Sequence, residues 1–150
     1  MDANRLIEFL TQEGFRPSQA GPLEVRFKFE GGHYAVRWYA DDERFVCVVF
    51  PGFWRAQGDQ ELARCYRAAS GASEGTKIAK VVVLEDRTVW AAAELLVVGF
   101  EQFQEFLPRT LSILKYAASR FADLMRQSEP GPDRRIELKR GDITRFTHEN

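Results

Sequence analysis

The chain is poor in the residues that do most chemistry. Two of its 150 residues are cysteine and two are histidine. Cys47 falls in an apolar strand pattern and Cys65 in a helical one. Two cysteines make no disulfide framework, and both read as reduced, buried thiols. His33 and His148 stand at no metal-ligand spacing from a cysteine or a carboxylate, so no metal is expected. An excess of either charge is missing as well: 21 basic residues meet 22 acidic ones, a net charge of -1. Without a concentrated basic face there is no electrostatic case for nucleic acid or for an anionic membrane. No apolar run approaches the ~20 residues of a membrane span. The opening "MDANRLIEFL" carries an acid at Asp2 and no long apolar core, so it does not read as a signal peptide, and a cytoplasmic protein is expected.

Catalytic signatures are equally scarce. There is no G-x-S-x-G, no Cys-His signature and no glycine-rich dinucleotide fingerprint. "GASEGTK" (Gly71 to Lys77) has a superficial likeness to a phosphate loop. Its spacing is wrong, and it leads from a helix to a strand, the reverse of the required order. The acid pairs Asp41-Asp42 and Glu85-Asp86 read as solvated turn formers. No catalytic residue, no cofactor and no enzymatic activity are expected.

What is present is a foldable pattern. With 45% hydrophobic and 29% charged residues, a chain of this size buries roughly 70% of its unfolded surface as one domain. Ala3 to Glu13 reads as a helix with Leu6, Ile7 and Leu10 on one stripe, Asp2 as cap and Gly14 as stop. A loop with Pro17, Gly21 and Pro22 follows. "LEVRFKFE" then alternates strictly, a strand with one face in water. Gly31-Gly32 is the expected hairpin turn. "HYAVRWYA" returns with Tyr34, Val36 and Trp38 on one face, and Asp41-Asp42-Glu43 turns the chain again.

"FVCVVF" (Phe45 to Phe50) is apolar on both faces, as a central strand or one covered on both sides would be. Pro51-Gly52 is expected to end it. Phe53 and Trp54 then read as aromatics packed back on a helix from Gln60 to Ser70 capped by Asp59, with Leu62, Tyr66 and Ala69 on its apolar side and Cys65 beside them. "KIAKVVVLE" and "TVWAAAELLV" form a further hairpin around Glu85-Asp86-Arg87, with Glu94 outward. From Phe100 the period becomes helical. One line holds Phe100, Phe103, Leu107, Leu111, Leu114, Ala118, Phe121 and Met125; a second holds Phe106, Ile113, Ala117 and Leu124. Pro108 is expected to kink this helix or to start a new one. Residues 128–150 read as a charged tail beyond a domain of residues 1–127, with one short strand around Arg135 to Lys139.

The expected fold is therefore α+β: an antiparallel five-stranded sheet with flanking helices, in the order α-β-β-β-α-β-β-α. The opening "LIEFLTQEGF", the meander "VRFKFEGGHYAVRWYADDERFVCVVF", the helix "ELARCYRAAS", the hairpin "KIAKVVVLEDRTVWAAAELLV" and the closing helix together resemble the YbjN family and the wider fold of the type III secretion chaperones, the CesT-like group. That resemblance covers about Leu6 to Gln127. It implies a non-enzymatic homodimer that binds a protein or peptide, chaperone-like or regulatory. The secretion chaperones look strongly acidic, whereas this chain is nearly neutral.

From the residues, the expected partner contacts are Trp54, Trp90, Phe103 and Phe106. The second line of the closing helix (Phe106, Ile113, Ala117, Leu124) is the expected dimer face, because one sheet face covers one line well and leaves the other exposed. The alternative is a small-ligand binder or an enzyme, with a pocket near Trp38, Tyr39 and His33.

Overall fold

The computed structural model describes residues 1–130. The readings made for His148 and for a strand around Arg135 to Lys139 lie outside them. The described chain runs α1 (Ala3–Gln12), β1 (Ser18–Gly21), β2 (Glu24–Phe29), β3 (Gly32–Tyr39), β4 (Asp42–Arg55), α2 (Gly58–Glu74), β5 (Ala79–Val83), β6 (Thr88–Leu96) and α3 (Phe100–Gln127). The strands form one antiparallel sheet in the order β1-β2-β3-β4-β6-β5. The class is the expected α+β. The sheet has six strands where five were expected. The addition is β1, four residues at the edge of β2, three of them exposed, too short and too polar to show a period.

All three helices pack on one face of the sheet. That face presents Val25 and Phe27 of β2, Tyr34, Val36 and Trp38 of β3, Val46 and Val48 of β4, and Ala91 and Ala93 of β6. The alternation of apolar residues fixes which face is buried, since a register slip of one residue would turn every side chain over. Ala91 and Ala93 are fully buried on this covered face, where small side chains leave room for the helical layer.

Four local departures from the sequence reading have physical causes. The β2–β3 turn is Glu30-Gly31, not Gly31-Gly32: these two hold φ of 46° and 82°, and Phe29 pairs with Gly32. Pro51-Gly52 does not end β4. It makes a bulge, in which residues 51 to 53 oppose Trp90 alone, between the pairs Phe50–Ala91 and Trp54–Val89. Gly52 takes φ of 58° there, and the extra residues turn Phe53 to the same face as Phe50 and Trp54. The cap of α2 is Gln57 rather than Asp59, and the helix runs on to Glu74. Tyr66 faces solvent instead of the core. α3 passes through Pro108 without a break. Pro108 is exposed, so the carbonyl of Gln104 that loses its partner is on the side where water can meet it.

The extension of α2 matters for the sheet. Ser73, in its last turn, accepts a hydrogen bond from the Val81 amide at 2.8 Å and donates one to the Val81 carbonyl at 3.4 Å. The helix thereby occupies backbone groups on the free edge of β5, a common way to blunt an edge strand. Ser73→Ala is expected to cost about 1–2 kcal/mol, because the Val81 amide loses its partner while part-buried. Urea unfolding measures that cost, and amide hydrogen exchange should speed up at Val81 first. Gly71, two residues earlier, is where α2 meets α3 most closely: a Cβ there would lie 2.9 Å from Leu124 Cδ1. Leu124 is thus covered within the chain.

Candidate functional site

The stretch from Phe45 to Trp54 splits its side chains between the two faces of the sheet. On the helical face, Phe50, Phe53 and Trp54 join Tyr34 and Phe121 in one aromatic cluster. Tyr34 stacks on Phe50 at 4.4 Å. Phe53 and Trp54 each meet the Phe121 ring edge-on at 5.5 Å. The Trp54 indole donates to Glu61 Oε1 at 2.9 Å, and the other oxygen of that carboxylate accepts from the Gln57 amide at 3.1 Å. Glu61 therefore ties the corner to the first turn of α2. The packing reading of Phe53 and Trp54 accounts for these contacts.

On the open face, Ala35, Cys47, Val49 and Ala92 form a small apolar floor with Phe45 and Trp90 beside it. No helix covers it. Its own neighbours do: the Arg37 guanidinium lies 5.0 Å from the Trp90 ring centre and is also paired with Glu24. Glu24 takes a second bond from Arg26 at 3.0 Å. Burial alone would raise the Glu24 pKa; the hydrogen bond and charge of Arg37, with Arg26, outweigh it and hold the carboxyl below its usual range. Across the sheet, Lys80 pairs with the outward Glu94 at 2.7 Å. Burial pushes the Cys47 thiol up, with Glu94 adding to it, and burial likewise pushes up Cys65. Neither thiol is activated as a nucleophile.

One end of this open face is apolar and uncovered. Leu96 is 77% exposed, Val98 80% and Tyr39 52%. Phe45 links Leu96 and Tyr39: it pairs with Leu96 across β4 and β6, and its ring lies 5.5 Å from that of Tyr39. Val98, past the end of β6, lines a hollow with Tyr39. Sequence reasoning named Tyr39 but missed Phe45, Leu96 and Val98 as a surface. The signal was "FVCVVF" itself, whose outward half needed a cover that no other segment among the described residues supplies.

The residues expected to bind a partner do not share a surface. Trp54 belongs to the aromatic cluster, Trp90 to the open sheet face, and Phe106 to the exposed side of α3. Phe103 is fully buried in the core. The expected dimer face is broken up for the same reason. Ala117 is fully buried, and Leu124 packs on α2. Phe106 is exposed and Ile113 and Leu124 are half-buried, but Ala117 between them is sealed in the core.

The expected pocket also divides. Trp38 and Tyr39 line a hollow of about 660 Å³ with Arg5, Leu23, Arg44 and Phe100. His33 lines a different one with Phe15, Arg16 and Lys28. The two sit at opposite ends of β3, roughly 17 Å apart at the rise of an extended strand. Among the described residues no three His, Cys, Asp or Glu side chains come together as a set of metal ligands, and no helix is long and apolar enough to cross a membrane.

These features define an α+β domain with a single helical layer and an open sheet face that is partly apolar. No protein-family model and no curated protein matches the chain. Among solved structures it is similar to the crystal structure of an uncharacterized protein from Methanothermobacter thermautotrophicus. The TM-score is 0.61 at 7% identity, over 85% of this chain and 98% of that one. A likeness at that identity concerns the fold alone.

Proposed function

We propose that the protein is a non-enzymatic protein-binding module that acts as a homodimer, and that its contact surface is the open sheet face at Tyr39, Phe45, Leu96 and Val98. The resemblance to the YbjN and CesT-like proteins points the same way, to a chaperone-like or regulatory role. The observation that supports it best is the exposure of Leu96 at 77%, beside Phe45 and Tyr39, with Val98 at 80% just past the end of β6. Apolar surface gathered in this way on a domain marks a contact site. A two-fold dimer is the commonest closed arrangement for such a self-matching patch.

Pairing through a strand edge is the weaker route. Ser73 occupies the edge of β5, and β1 offers four residues. Sedimentation at micromolar concentration tests the proposal. The full chain is expected to sediment as a dimer, and Leu96→Glu as a monomer of 17.2 kDa. A wild-type protein that stays at that mass as concentration rises sinks the dimer. A dimer that survives Leu96→Glu and is lost in Ile113→Glu moves the interface back to α3.

A further inference from the structure

The aromatic cluster on the helical face walls a hollow that the protein-binding reading does not use. It lies between the Glu30-Gly31 turn, the β4 bulge and the middle of α3, and holds about 430 Å³. Tyr34, Phe50, Phe53 and Trp54 form its walls, with the small residues Ala118 and Ala122 of α3 opposite. Lys115 and Glu30, which also line it, are paired with each other. The volume is within the usual ~300–1,000 Å³ of small-molecule sites.

Three observations single out this hollow. Tyr34 is only 1% exposed, and among the described residues its hydroxyl has no hydrogen-bond partner, although it is not sealed off either. No buried side-chain polar atom among the described residues lacks a partner, so that oxygen is open to solvent. Glu30 holds φ of 46°, a region where glycine or asparagine is the usual occupant, and from there its carboxylate meets a lysine 85 residues later in the chain. Gly32 leaves the backbone bare where the rings stack: a Cβ there would come within 2.9 Å of Tyr34 Cε2 and 3.1 Å of Phe50 Cζ.

The chemistry of the lining selects the ligand. Flat apolar walls suit a flat apolar ring. Lys115 and Glu30 cancel, so a net charge on the ligand gains nothing. At neutral pH the Tyr34 hydroxyl keeps its proton, as any phenol does, and can donate it; burial, with the charge of Glu30, pushes its pKa further up, to about 12. We propose that this hollow binds a small neutral aromatic compound carrying a carbonyl-type acceptor, its ring among Phe50, Phe53 and Trp54 and its oxygen on the Tyr34 hydroxyl.

Benzamide titrated into the isotope-labelled full chain, followed by amide chemical shifts, tests the site. Saturable shifts are expected at Gly31, Gly32, Phe53 and Ser119. Toluene, which has the ring without the acceptor, should bind about tenfold more weakly, since one hydrogen bond is worth about that factor. Tyr34→Phe should melt at the wild-type temperature, because the oxygen removed has no protein partner, and should weaken benzamide about tenfold. Ala122→Leu, which fills the hollow, should abolish the shifts. Absence of saturable shifts at these amides overturns the site. Equal binding of toluene and benzamide, or an unchanged benzamide affinity in Tyr34→Phe, removes the role of the hydroxyl. Benzoate binding more tightly than benzamide overturns the neutral class. None of these readouts depends on the oligomeric state, so the site and the dimer stand or fall separately.

Discussion

Val48→Asp is expected to abolish cooperative folding. Val48 lies in the middle of the sheet, between Val36 of β3 and Ala93 of β6, with its side chain fully buried in the helical-face core. No cation faces it from those paired positions. An unpaired carboxyl group in such a place costs several kcal/mol whether it stays ionised or takes up a proton. Domains of this size are stable by about 5–15 kcal/mol in all. The measurement is a thermal melt followed by circular dichroism. A cooperative transition at the wild-type temperature would overturn the placement of β4. Glu94 shows why position decides the outcome. It is an acid in the neighbouring strand, directly across from Cys47, but it points to the open face, where Lys80 and water meet it.

Phe121→Ala should cost about 3–5 kcal/mol, the usual range for emptying a large aromatic site in a core. Phe121 is fully buried, and it is the α3 residue on which both Phe53 and Trp54 rest. Its removal leaves a void that three elements border, the β4 bulge, α3 and the start of α2, and a void of that kind collapses poorly. Tyr116→Ala, on the same helix but more than half exposed, should change stability by less than about 0.5 kcal/mol. Urea unfolding of the two variants gives the comparison. A Phe121→Ala cost below about 1 kcal/mol would show that the aromatic corner does not depend on α3.

Much of the fold was legible because alternation and helical period are local. "LEVRFKFE" and "HYAVRWYA" gave their own faces, and the structure buries Val25, Phe27, Tyr34, Val36 and Trp38 together. The closing helix was legible by the same means, since Phe103, Leu107, Leu111, Leu114, Ala118 and Phe121 recur every three or four residues and all are buried. The elements misread are those whose state depends on something distant. Gly71 and Ser73 look like loop residues. They stay helical because Gly71 admits Leu124 and because Ser73 finds the edge of β5. Pro51-Gly52 looks like a stop, yet Trp90 on β6 accommodates the bulge, and the strand resumes.

The candidate surfaces were less legible. The aromatics of "FVCVVFPGFW" stood out, but plain alternation would put Phe53 on the face opposite Phe50, and only the bulge brings it to the face of Phe50 and Trp54. An apolar line on a helix says that something covers it and leaves the cover unnamed. For Leu124 the cover is α2, and for Ala117 it is the protein's own core. What the sequence determined by itself was the class of fold and the buried face of β2, β3 and α3's main line, because short-range periodicity carries that information. Only the tertiary structure decided that all three helices lie on one side of the sheet. It thereby left Phe45, Leu96 and Tyr39 on the open side, and it brought Glu30 to Lys115 and Tyr34 to the hollow beside α3, since contacts between distant segments are set by packing and not by period.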